Sequence, residues 1–138
     1  MTEPAPEVQP DEEPFYFADL DEFVVDHLSQ LIRRRLDGQR RTWCPAWWRH
    51  PEALSRLDAI WRSWEHLRLD SALGMSTWWL YHADPHLAAL MDADDGPFAA
   101  CDPIDGHTAH ALPTLPTEPS DPTMWAGTAF SVRPRGPR

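Results

Sequence analysis

Two segments of this chain carry the same spacing of soft metal ligands, Cys44-x5-His50 and Cys101-x5-His107. Two thiolates and two imidazoles would make a closed, four-coordinate zinc site of structural type, so zinc is the cofactor this pairing predicts. Each arm contains a proline, Pro45 or Pro103, which stiffens the loop that would chelate. Joined, the arms would tie the N-terminal side of the fold to an otherwise weakly anchored C-terminal end. His86 is a substitute ligand for His50, which makes the candidate metal set Cys44, His50, His86, Cys101 and His107. The competing reading is two buried free thiols beside two ordinary histidines. Cysteine is among the most buried residue types, and Cys-x5-His is not a usual zinc spacing.

His82 and His86 are four apart, like the two histidines of a zinc-protease helix, but Ala83 stands where that motif has its glutamate. Pro85 lies between them and is expected to interrupt the helix. A hydrolase reading would need these two histidines and a metal with an open position. The sequence contains no Gly-x-Ser-x-Gly, no phosphate-binding glycine loop and no dinucleotide fingerprint. No spacing singles out a catalytic carboxylate pair. A non-enzymatic role is therefore expected.

A third grouping is basic. Arg33, Arg34 and Arg35, then Arg40 and Arg41, bracket the end of a helix, with Trp43 just beyond. As a functional patch they would contact phosphates while the indole stacks on a base, the runner-up function for this chain. The competing reading is a solvated helix end, where cations complement the helix dipole.

The elements that must position these groups are helices, and the fold expected is mostly α, a small irregular domain built around one central Trp-rich helix. That helix is expected from about Pro51 to Leu69. Pro51 suits the first helical position, and His50 before it is pushed out of the α region. Leu54, Leu57, Ile60, Trp61, Trp64 and Leu67 recur at steps of three and four, an apolar stripe flanked by Glu52–Arg56 and Asp58–Arg62 at i,i+4. An earlier helix is expected from about Leu20 to Leu36, opened by Asp19 with Glu22 and closed by Gly38. After Gly74-Met75, Ser76 should cap a helix over Thr77 to Ala83, with Asp84-Pro85 restarting the chain for His86 to Met91. Trp78 and Trp79 are about 100° apart on a helix, so one should face the core and the other the rim or a partner. Phe98 should return to the core.

The net charge of −10 is unevenly spread. Residues 1–22 hold eight acids and no base, residues 23–101 ten acids against nine arginines, and residues 102–138 four against three. The folded part is thus close to neutral, which leaves non-specific nucleic-acid binding unsupported by net charge. All twelve basic residues are arginine. No apolar run is long enough to span a bilayer, and no signal-type N-terminus is present. A cytoplasmic protein is expected, with reduced cysteines. Residues 1–14 are acidic and proline-rich and are expected to be disordered. Residues 15–107 form the helical domain, and residues 108–138 a proline-rich disordered tail around Pro113, Pro116, Pro119 and Pro122, with a short recognition segment near Met124-Trp125.

One family resembles this chain. The resemblance rests on Phe23-Val24, then on the stretch Trp43-Cys44-Pro45-Ala46-Trp47-Trp48-Arg49-His50-Pro51-Glu52-Ala53. It continues through Arg56-Leu57, Trp61, Trp64-Glu65, Gly74-Met75-Ser76, Trp78-Trp79, Asp84-Pro85-His86 and Gly96-Pro97-Phe98 to Cys101. It is a Trp-rich family of domains of unknown function from GC-rich, filamentous-type bacteria, often carried on plasmids or other mobile elements. The resemblance covers roughly residues 15–107. It implies a cytoplasmic accessory protein with an unidentified protein partner, and it brings no activity with it.

Overall fold

Proline at the first helical position and an extended residue before it set the start of the central helix, Pro51–Leu67, in the computed structural model, which describes residues 2–5 and 14–135. His50 is the N-cap at φ −103° and ψ 113°, and its carbonyl accepts the Leu54 N–H at 3.0 Å. The two expected i,i+4 pairs form, Arg56 Nε to Glu52 at 2.9 Å and Arg62 Nε to Asp58 at 3.0 Å. The buried seam runs through Ala53, Leu57, Ile60 and Trp61. Leu54, expected on the stripe, is 39% exposed, and Trp64 is only half-buried. The helix is thus rotated toward Ala53, whose methyl group leaves room for close packing.

The first helix covers residues 20–31 and contains a π-helical turn, Val24–Leu28, between two α-helical pieces, Leu20–Phe23 and Ser29–Leu31. Asp19 caps it as expected, its Oδ1 accepting the Glu22 N–H at 2.9 Å, while Glu22 reaches back to the Ala18 N–H. The expected extension to Leu36 does not occur, because Ile32 turns to extended backbone at φ −96° and ψ 107°. Asp37 is drawn instead into a turn in which its Oδ1 accepts the backbone N–H groups of Gln39, Arg40 and Arg41. Gly38, at φ 75°, serves that turn and is not a helix C-cap.

The last helix covers residues 74–91. It starts at Gly74, so Ser76 is inside it rather than capping it. It also runs through Pro85 without a break, passing from Gly74–Trp78 through a π turn, Trp79–Ala83, into Asp84–Met91. Proline removes one ladder donor and crowds the carbonyl four residues back. The wider π turn just before Pro85 accommodates both faults. Gly74 is buried where a methyl group would overlap the Leu67 carbonyl, so the corner between the central and last helices requires glycine.

Trp78 is fully buried and donates its Nε1–H to the Ile60 carbonyl at 3.0 Å; Trp79 packs edge-on against it from the rim. Phe98 is buried as expected. At the other end Phe17, Phe23, His27 and Trp64 pack ring against ring, with centroids 4.9–5.8 Å apart. The carboxylate of Glu65 anchors this end. It is 2% exposed and accepts from Tyr16 N, Phe17 N, Trp61 Nε1 and Arg68 Nε at 2.7–3.0 Å.

Residues 109–121 are exposed and carry no regular structure, and Pro122–Trp125 forms a single 3-10 turn capped by Asp121. Most of the expected acidic tail, residue 1 and residues 6–13, lies outside the described residues.

Candidate metal centre

The arms come from two differently built loops. After Thr42 the chain reaches Cys44, fully buried, turns at Pro45-Ala46, and makes one 3-10 turn, Trp47–Arg49. The Arg49 and His50 N–H groups bond back to Ala46 and Trp47, so His50 is delivered at the mouth of the central helix. The three tryptophans of this loop separate: Trp47 is buried, Trp43 half-buried, and Trp48 53% exposed under the Arg49 guanidinium.

The second arm is a pinched loop. Asp102 and Gly106 exchange both backbone hydrogen bonds, at 3.0 and 2.9 Å, and Asp102 Oδ1 accepts the Ile104 and Asp105 N–H groups at 2.8 Å. Gly106 closes the loop at φ +97°, a conformation that favours glycine. This closure places Cys101 and His107 side by side. The buried Thr42 hydroxyl donates to the Cys101 carbonyl at 3.3 Å and fastens one arm to the other.

The ligand atoms of Cys44, His50, Cys101 and His107 all lie within 4.8 Å of one another. Cys44 Sγ is 3.4 Å from His107 Nδ1, Cys101 Sγ is 3.5 Å from His50 Nε2, and Cys101 Sγ is 3.8 Å from His107 Nδ1. A tetrahedral ion with sulfur at about 2.3 Å and nitrogen at about 2.0–2.1 Å sets each sulfur–nitrogen edge near 3.5 Å. Two of the separations, 3.4 and 3.5 Å, sit on that value, and the third, at 3.8 Å, lies slightly above it. The His50 ring is held edge-on between Phe98 and His107, with centroids 4.9 and 4.8 Å away.

Burial sets the protonation states of the cluster. Burial pushes the Cys44 thiol up to about 11, helped by the neighbouring Cys101 and opposed by the Ala46 N–H. Burial, with His107 alongside, lowers His50, which keeps its imidazole neutral and able to ligate. Two buried thiols facing each other gain little in the absence of an ion, whereas a dication stabilises both thiolates.

His86 stands apart from the four, its Nδ1 facing Arg56 Nη1 at 3.1 Å, and burial together with Arg56 lowers it. His82 lies on the same helix, in the π turn. Arg33, Arg34 and Arg35 are exposed at the edge of a groove to which Trp43 also contributes. Arg40 and Arg41, with Arg34 beside them, line an adjoining hollow to which Asp37, Asp84, Asp92 and Asp94 also contribute. Trp43 packs edge-on against Phe98, with centroids 4.9 Å apart. Sequence reasoning missed Glu65 as the anchor of the aromatic end, although Trp61 and Arg68, at four and three residues from it, were a legible signal.

Fold and site together define a small helical domain with a Cys2His2 cluster where the tryptophan loop meets the loop after Phe98. The chain belongs to the family described as domain of unknown function DUF4913, which residues 17–121 match. No curated protein and no solved structure matches it. The family match reaches beyond residue 107 into the proline-rich segment.

Proposed function

We propose that the chain is a non-enzymatic accessory protein that acts by binding another protein, its fold held by a structural zinc ion on Cys44, His50, Cys101 and His107. The carrying observation is the convergence of two distant arms on one point, four ligand atoms within 4.8 Å. Four protein ligands fill a tetrahedral ion and leave no position for water or substrate, which separates this arrangement from a catalytic zinc site. Among the described residues no helix is long and apolar enough to cross a membrane. The reading is of a cytoplasmic protein, and the resemblance to plasmid-borne families adds a mobile-element setting in GC-rich bacteria.

The arginine cluster supports the alternative, a nucleic-acid module, less well. Arg40 and Arg41 share their hollow with four aspartates, and the Trp43 ring packs against Phe98. The test of the main reading is elemental analysis of protein purified without added metal. One equivalent of zinc is expected, together with a fall in melting temperature on chelation. Cys44→Ser should abolish both effects. Metal-free wild-type protein that melts at the same temperature with and without chelator would overturn the reading.

A further inference from the structure

Beside the metal centre an apolar groove of roughly 770 Å³ runs between the first helix, the tryptophan loop and the end of the last helix. Its floor is made by Val25, Leu28, Ile32, Trp43, Trp47 and Met91. The π turn Val24–Leu28 forms one wall. Within that turn Val24 and Leu28 face the core, while Val25 is 51% exposed to the groove. A π turn shifts the helical register by one residue and often marks a functional site. Here it accompanies an aliphatic side chain held out toward solvent.

The rim is Arg33, Arg34 and Arg35. Arg56, Arg62 and Arg68 on the central helix and its end are each ion-paired with a carboxylate. Among the described residues none of the three rim arginines is so paired; Arg33 and Arg34 bond only to backbone carbonyls. Arg34 also borders the aspartate-lined hollow, so the charge offered to a ligand is mainly that of Arg33 and Arg35, with Arg34 between the two surfaces. An apolar floor beside guanidinium groups free of ion pairs is complementary to one kind of ligand. That ligand presents aliphatic or aromatic side chains on one face and carboxylates beside them.

We propose that this groove docks an acidic amphipathic segment of a partner protein, with apolar anchors on the floor and carboxylates against Arg33, Arg34 and Arg35. The proposal deepens the interaction-protein reading and rests on it. A nucleic acid fits less well, because the floor is aliphatic over most of its length and offers few faces for bases to stack on. Guanidinium groups in a fork geometry suit carboxylates, and each desolvated apolar anchor adds to the affinity.

The test is selection of a random-peptide display library on the full chain. Enriched peptides should combine Asp or Glu with apolar residues at i, i+3 or i+4, and i+7. A synthetic consensus peptide should bind more weakly as salt rises. Val25→Glu should weaken it at least tenfold, as should the combined Arg33→Glu, Arg34→Glu and Arg35→Glu changes. The triple reversal should instead take up a consensus in which the acids are replaced by lysine. Enrichment without an acidic amphipathic pattern, or binding unchanged in both variants, overturns the proposal. So does a DNA oligonucleotide, or a peptide of residues 1–14, that takes the rim while acidic amphipathic peptides do not. Zinc content and melting temperature measured on the same samples keep the two readings apart. Zinc-loaded wild type that selects no such peptide sinks the groove alone, and metal-free wild type that selects it sinks the zinc alone.

Discussion

Glu65 and His27 show how much one buried polar group can decide. The Glu65 carboxylate accepts four hydrogen bonds, two from the backbone of the aromatic segment at Tyr16 and Phe17. An amide has one oxygen to accept with, so Glu65→Gln strands buried donors and loses the charge-assisted bond to Arg68. A loss of about 3 kcal/mol is expected, read as a lower urea midpoint. His27 presents the opposite case. Its Nε2 is buried and, among the described residues, has no hydrogen-bond partner, and burial lowers its pKa. The folded state therefore resists protonation while the unfolded chain accepts it. The His27 contribution to stability is complete above its ordinary pKa, about 6.5, and is lost progressively as pH falls below it. His27→Phe should flatten that part of the pH profile, so that variant and wild-type urea midpoints diverge in the variant's favour as pH falls from neutral toward 5. Curves that stay parallel would show that His27 is not held neutral.

At the scale of elements, two joints determine how the helices meet. Gly74 lets the last helix start directly against the Leu67 carbonyl. Gly74→Ala must push the two helices apart and should cost about 2 kcal/mol, visible as a lower melting temperature. Trp78 fills the seam those helices share and ties its indole to Ile60. Trp78→Ala should cost on the order of 3–5 kcal/mol, enough to unfold a domain of ordinary marginal stability, and circular dichroism would report it directly. Pro85 is tolerated because the π turn precedes it. Pro85→Ala should therefore leave the helical content unchanged, since the wild-type helix already runs through that position.

At the scale of the whole molecule, the paired arms join residues near 44–50 to residues near 101–107, so the proposed ion closes a long loop around the central helix. Removing it should free both arms together and leave the hydrogen-bonded central helix. Hydrogen exchange on chelator-treated protein is expected to show amides of residues 43–50 and 98–107 losing protection in step, ahead of residues 53–65. Loss of protection in one arm alone would mean that the arms are not bound to a common ion.

What the sequence determined by itself is local. The start of the central helix at Pro51, the Asp19 cap, the Glu52–Arg56 and Asp58–Arg62 pairs and the matched Cys-x5-His arms follow from neighbouring residues. The physics behind them acts within one turn or one loop. What it left open depended on long-range competition. Ile32 leaves the helix short of the Asp37 turn at 37–41, and the helix passes Pro85 by way of a π turn over Trp79–Ala83. Leu54 is exposed because the seam passes through Ala53. The tertiary structure also separated His86 from His50 as a neighbour of the two thiols. Residues fifty-one and sixty-three apart in sequence, Cys101 with His50 and Cys44 with His107, meet only once the helices between them have packed, and no local spacing encodes that meeting.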